Sequence, residues 1–81
     1  MRIPIHFYSY FKELAGCPET QVEVPAGSTV GQVQQALYGR YPPLAAMQKA
    51  TLVAVGVEYQ RADYVLQEGD EVSLFPPVQG G

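Results

Sequence analysis

From Arg2 to Ser9 apolar and polar positions alternate, with Ile3, Ile5 and Phe7 on one side and Pro4, His6 and Tyr8 on the other. A period of two is that of a strand with one buried face. Pro4 has no ladder donor, so it fits only near the strand start or where its nitrogen faces no neighbour. Tyr10 to Ala15 predicts a short helix, stopped by Gly16 and then Pro18. Thr20 to Val24 predicts a second strand, ended by a Pro25-Ala26-Gly27 turn that suits a hairpin-type return to strand one. Ser28 or Thr29 then caps a helix whose apolar positions Val30, Val33, Ala36, Leu37 and Tyr41 recur in steps of three and four. Gly39 and Pro42-Pro43 end it. Leu44 to Gln48 forms at most one further short turn. Thr51 to Val55 is short, apolar and β-branched, and predicts a buried strand. Edge pieces are expected around Val57 to Tyr59 and Tyr64 to Leu66. Glu68-Gly69-Asp70 is a turn, and Glu71 to Phe75 is the last strand, closed by two prolines.

Two strands, a packed helix and further strands make an α+β plan with the helix on one sheet face. A right-handed crossover through that helix yields a β-grasp, the ubiquitin-like roll. Its mixed sheet would hold four to five strands, with the first and last side by side and parallel. The expected organisation is one domain over residues 1–75 and an extended tail over residues 76–81.

Composition narrows the function. In 81 residues, 47% are hydrophobic and 16% charged, enough for a core but too small for a deep private cleft. The formal charge of −3 and the lack of a basic run argue against nucleic acid and anionic membrane as partners. One cysteine and one histidine build neither a disulfide framework nor a structural zinc site. No apolar run approaches the roughly 18 residues of a membrane span. MRIPIHFYSYF lacks the h-region and cleavage site of a signal peptide, so the expected compartment is the reducing cytoplasm.

The chemistry concentrates in the tail, Pro76-Pro77-Val78-Gln79-Gly80-Gly81. The two prolines fix φ near −65° and turn the chain away from helix. Six extended residues reach about 20 Å. Gly80 and Gly81 lack Cβ atoms, so their backbone enters a slot too narrow for side chains. A terminal carboxylate on Gly81 is ionised at neutral pH and is an oxygen nucleophile. Its attack on the α-phosphorus of ATP would give an acyl adenylate. A frayed, inert terminus is the plainer alternative. Stiff prolines before a bare Gly-Gly, closing a ubiquitin-like pattern, favour the chemical one.

The block Gly69-Asp70-Glu71-Val72-Ser73-Leu74-Phe75-Pro76-Pro77-Val78-Gln79-Gly80-Gly81 resembles the small, sulfur-carrying subunit of molybdopterin synthase, the MoaD family of the ubiquitin-like carriers. Phe7-Tyr8-Ser9-Tyr10-Phe11-Lys12-Glu13-Leu14-Ala15-Gly16 is similar to that family's first strand and short helix, and Leu52-Val53-Ala54-Val55 to its middle strand. The resemblance implies that an E1-like (MoeB-like) activating enzyme adenylates Gly81 with ATP. A sulfur donor then leaves a thiocarboxylate, which serves the pterin precursor inside the large (MoaE-like) subunit. The chain itself would be non-catalytic and would bind no cofactor; it has no Gly-x-x-x-x-Gly-Lys phosphate loop. Where the family commonly has asparagine after the middle-strand Ala-Val, this chain has Gly56, which keeps positive φ accessible but loses an amide. The same tail chemistry would serve a thiamine-type carrier or a ubiquitin-like protein modifier, and an inert β-grasp interaction module is the third alternative.

Strand alternation puts Val72 and Leu74 inward and Ser73 and Phe75 outward, with Tyr8 on the same outer side and Tyr59 joining from a neighbouring strand. An aromatic patch beside the tail is a candidate docking surface for a partner that holds the tail. Aromatics that merely fill a pleated surface are the alternative, and for Tyr59 the register leaves both readings open. Expected partner contacts are therefore Tyr8, Tyr59, Phe75, Pro76, Pro77, Val78 and Gln79, with Gly80 and Gly81 carrying the chemistry. Cys17, without a neighbouring activator, reads as an ordinary thiol, and His6 as a solvent-face residue with no ligand role. Glu68, Asp70 and Glu71 read as turn solvation, with an Asx-type bond from Asp70. Lys12, Glu13 and Arg40 read as solvated helix faces.

Overall fold

The computed structural model describes residues 1–77. The alternating N-terminal run folds as β1 (Arg2–Phe7), with Ile3, Ile5 and Phe7 buried. It stops before Ser9, which takes a left-handed conformation at φ 58° and breaks the strand one residue after Tyr8. The chain enters α1 (Phe11–Ala15), which ends at Gly16 with φ 80°, the conformation that favours glycine at a helix end. β2 (Glu19–Glu23) then returns antiparallel to β1. That return is made through α1; the Pro25-Ala26-Gly27 turn carries the chain onward to the main helix instead.

The main helix, α2 (Val30–Arg40), is capped by Thr29. Thr29 Oγ1 accepts from Gln32 N–H at 3.2 Å, and Gln32 Oε1 accepts from Thr29 N–H at 2.8 Å. This reciprocal box satisfies donors that a helix start leaves unpaired. Ser28, the other capping candidate, is buried and donates to Pro25 O at 2.7 Å instead. Thr29→Ala is expected to lower stability by about 1 kcal/mol, read as a fall in melting temperature of about 4–8 °C.

The buried face of α2 is Val30, Val33, Leu37 and Tyr38. Ala36, expected on that face, is exposed. At about 100° per residue it lies about 120° round the helix from Val30, whereas Tyr38 lies only about 80° away. Gly39 does not end the helix, which runs on to Arg40. The proline pair opens a new short helix, α3 (Pro42–Ala45), as proline does where the N–H needs no partner. A 3₁₀ turn over Gln48–Ala50 follows.

β3 (Leu52–Val55) and β4 (Glu58–Tyr59) form a hairpin around Gly56-Val57. Gly56 sits at φ 62°, the sign a tight hairpin needs at its first central residue. The stretch Tyr64 to Leu66 is not an edge strand; it contributes one isolated bridge, Val65 to Thr29. It straps the start of α2 instead. Val30 N–H donates to Tyr64 O at 2.9 Å, Gly31 N–H to Ala62 O at 2.9 Å, and Leu66 N–H to Ser28 O at 2.8 Å. A Cβ on Gly31 would stand 3.2 Å from Ala62 O, so any other residue there would push this strap back by a few tenths of an ångström.

β5 (Val72–Phe75) closes the sheet, whose order is β2-β1-β5-β3-β4. β5 is parallel to β1 and antiparallel to β3, as the crossover through α2 requires. The parallel pairing begins at Ile5↔Val72, so Pro4 stands where β5 has not yet begun and its missing donor is not needed. The core joins Ile3, Ile5 and Phe7 to Val72 and Leu74 beneath Val30, Val33 and Leu37. Among the described residues, no helix covers the opposite face of the sheet.

Candidate functional site

The site is built on that open face, at the end of the sheet from which the tail leaves. Val72 and Leu74 are buried while Ser73 and Phe75 turn outward, as the alternation predicts. Register brings the outward residues together: Leu52 lies opposite Phe75, Ala54 opposite Ser73, and Tyr59 opposite Ala54. Tyr8 N–H donates to Leu74 O at 3.0 Å, which extends the β1–β5 pairing by one step. The Tyr8 and Phe75 rings meet edge-to-face at 6.0 Å and 85°, and Tyr59 and Phe75 at 5.5 Å and 49°. Such offset arrangements suit the ring quadrupoles and hold the rings in place.

Small residues lie between these rings. Tyr8, Tyr59 and Phe75 form the aromatic part of a depression of about 510 Å³ that Ala54, Gly56, Val57 and Ser73 also line. Tyr8 is 51% exposed, Tyr59 64% and Val57 99%, so a large apolar surface is open to solvent. Isolated exposed aromatics are ordinary; a concave cluster of them is a candidate binding surface. The three aromatics expected to share a face do so, which resolves the register of Tyr59. Val57 is an addition. Its sequence signal was the Gly-Val pair, since a hairpin tip projects its second residue away from the sheet.

Pro76 follows Phe75 half-buried and Pro77 is exposed, both outside the strand. Val78, Gln79, Gly80 and Gly81 lie outside the described residues.

The other half of the open face is polar. His6 is outward, as expected, but it is not merely solvated. Its Nε2 stands 2.9 Å from Glu71 Oε1 and its Nδ1 3.5 Å from Glu19 Oε2. The cluster ties β2, β1 and the approach to β5 across the sheet, and gives Glu71 a partner beyond turn solvation. Asp70 does close the turn with its side chain, but by accepting from Gln67 N–H three residues back at 2.8 Å rather than through the forward bond of an Asx turn. Arg40, read as solvated, donates from Nη1 to Gln21 O at 2.8 Å. Arg2 binds Glu23 at 2.9 Å and holds that carboxyl below its usual range. On the core side, burial pushes the Tyr38 hydroxyl up, partly offset by its bond from Gln34 Nε2 at 3.0 Å. Cys17 is half-buried, 3.8 Å from the Tyr41 hydroxyl and 3.9 Å from Ala15 O, its hydrogen-bond partners among the described residues. Among the described residues no helix is long and apolar enough to cross a membrane.

Five strands in this order, with one main helix across a single face, make the molecule a β-grasp, ubiquitin-like domain. The chain belongs to the ThiS family, whose model matches residues 5–81. It is similar to the molybdopterin synthase sulfur carrier subunit of Escherichia coli strain K12, 35% identical over 81 residues that cover 98% of this chain and 99% of that one. In structure it is similar to SAMP1, a small archaeal modifier protein of Haloferax volcanii, with a TM-score of 0.90, 28% identity and complete coverage of both chains. The fold is also that found in a Helicobacter pylori complex of subunits 1 and 2 of the molybdopterin-converting factor, with a TM-score of 0.72, 21% identity and 100% coverage of both chains.

Proposed function

We propose that this chain is a sulfur carrier for molybdopterin formation, with Gly81 as the C-terminal residue that bears the sulfur. The observation that supports it is the concave aromatic surface at the root of Pro76-Pro77, on a ThiS-family domain whose relatives include a molybdopterin synthase sulfur carrier subunit. A Gly81 carboxylate oxygen attacks the α-phosphorus of ATP and displaces pyrophosphate. A hydrosulfide equivalent then attacks the acyl carbon; the bond to the AMP oxygen breaks, AMP leaves, and a thiocarboxylate remains. Transfer of that sulfur to the pterin precursor, with water supplying the oxygen, returns the carboxylate.

In this reading an E1-like activating enzyme binds the ATP and the large synthase subunit binds the precursor. Their side chains supply the charge stabilisation and proton transfers, while this chain supplies a positioned reacting atom. Tyr8, Tyr59 and Phe75 dock it. Pro76 and Pro77 stiffen the departing tail, Val78 and Gln79 contact the partner's channel, and Gly80 and Gly81 pass its narrowest part because they carry no Cβ. Incubation with ATP, an activating enzyme and sulfide is expected to raise the intact mass by about 16 Da, sulfur for oxygen at one carbonyl carbon. An unchanged mass under conditions that charge an established carrier would overturn it.

Phe75→Ala is expected to weaken binding to the activating enzyme about 10–100-fold, in the range of a truncated interface anchor. Calorimetric titration measures it, and the fold should persist because the ring faces outward. Unfolding of this variant would contradict a docking role.

The likeness to SAMP1 favours a second reading, a ubiquitin-like modifier. A lysine amine would then take the acyl group from the adenylate, forming an amide and releasing AMP. Acceptor proteins carrying the whole chain on lysine, with no thiocarboxylate formed in the presence of sulfide, would assign this second reading.

A further inference from the structure

β2 is an end strand of the sheet, and its outer edge bears on whether the chain pairs with itself. Phe7 N–H donates to Pro18 O and Val24 N–H to Met1 O, in a register that sets Ile3 against Val22 and Ile5 against Thr20. Antiparallel ladders alternate, so the backbone groups of Glu19, Gln21 and Glu23 point away from β1. An edge of this kind is a template for another strand. A second copy approaching antiparallel about Gln21 would set the two Gln21 residues opposite each other. Each N–H would donate to the other's carbonyl, with Glu19 facing Glu23 on either side.

That central carbonyl is already occupied. Arg40 Nη1 donates to Gln21 O at 2.8 Å, and its guanidinium carbon lies 5.5 Å from the centre of the Tyr41 ring. The arginine is the last residue of α2, so a rigid element delivers it to the edge. The carboxylates add a smaller barrier, since like charges directly across a ladder repel. Arg2 neutralises part of Glu23, and His6 stands beside Glu19.

We propose that the β2 edge is a masked self-pairing surface for a second copy of this chain, and that Arg40 is the group that masks it. This rests on neither the tail nor the aromatic face, so it stands or falls separately from the sulfur-carrier reading. The test is sedimentation equilibrium on the full chain, with circular dichroism to confirm the fold. Arg40→Met keeps an apolar stem over Tyr41 and loses the donor; Arg40→Ala serves if methionine disturbs α2. The expected result is a dimer whose dissociation constant is at least tenfold below the wild-type value, tightened further by Glu19→Gln. Adding Gln21→Pro removes the outward N–H without touching the bonds to β1, and should return the protein to monomer. Folded Arg40 variants that associate no more than wild type would overturn the proposal. So would a dimer that survives Gln21→Pro.

Discussion

A chain shortened by Gly81, or extended by one residue beyond it, will lose sulfur transfer while melting within about 2 °C of wild type. Both changes leave the chemistry of a carboxylate intact and alter only where it stands. One extended residue spans about 3.5 Å. A misplacement of about 1 Å at a reacting centre is enough to cost about 10²-fold, so a shift of a whole residue leaves no useful geometry. An added side chain would also have to enter a passage dimensioned for bare glycine backbone. Stability should be untouched because, among the described residues, the core ends at Leu74, and Pro76 and Pro77 lie outside the sheet. Reconstituted transfer to the pterin precursor measures the first half, and thermal melting the second. Full transfer by either variant would remove the tail from the mechanism.

Phe7→Ala has the opposite signature: collapse of stability, and of function only through it. The ring is buried at 2% exposure and meets Tyr41 edge-to-face at 5.7 Å. Truncating a buried phenylalanine costs about 3–5 kcal/mol through lost transfer energy and the cavity left behind. A domain this small has total stability near the lower end of the usual 5–15 kcal/mol, so the variant should be partly unfolded when warmed. A fall in melting temperature of roughly 15–30 °C is expected by circular dichroism. Phe7 and Phe75 are the same residue type on neighbouring strands. Only their side of the pleat separates a core ring from an outward-facing one.

The same period of two made much of the molecule legible in sequence. Ile3, Ile5 and Phe7 against Pro4, His6 and Tyr8, and Val72 and Leu74 against Ser73 and Phe75, define both faces before any coordinate is known. The helix was harder. Steps of three and four admitted Ala36, because residues three apart drift about 60° backwards per step, and that drift accumulates through Val30, Val33 and Ala36. Gly39 read as a stop because glycine disfavours helix interiors, a preference worth about 1 kcal/mol that packing on either side overrides.

What stayed hidden was long-range. Glu71 is 65 residues from His6, and no local pattern joins them. The Ala62 and Tyr64 carbonyls that cover the start of α2 look from sequence like part of an edge strand. Arg40 looked like a solvated helix residue because its acceptor is a backbone oxygen, which a side-chain pattern cannot reveal. The aromatic site stood between these cases. Phe75 and Tyr8 followed from alternation alone, whereas Tyr59 needed the register of a short hairpin, and Val57 needed the conformation of its turn.

The central claim is that one acyl carbon, at Gly81, carries the transferable sulfur. Fragment-ion mass spectrometry of the charged protein tests it most directly. The prediction is a gain of about 16 Da, sulfur for oxygen, confined to fragments that contain Gly81. A C-terminal fragment of unaltered mass, under conditions that charge an established carrier, would contradict it.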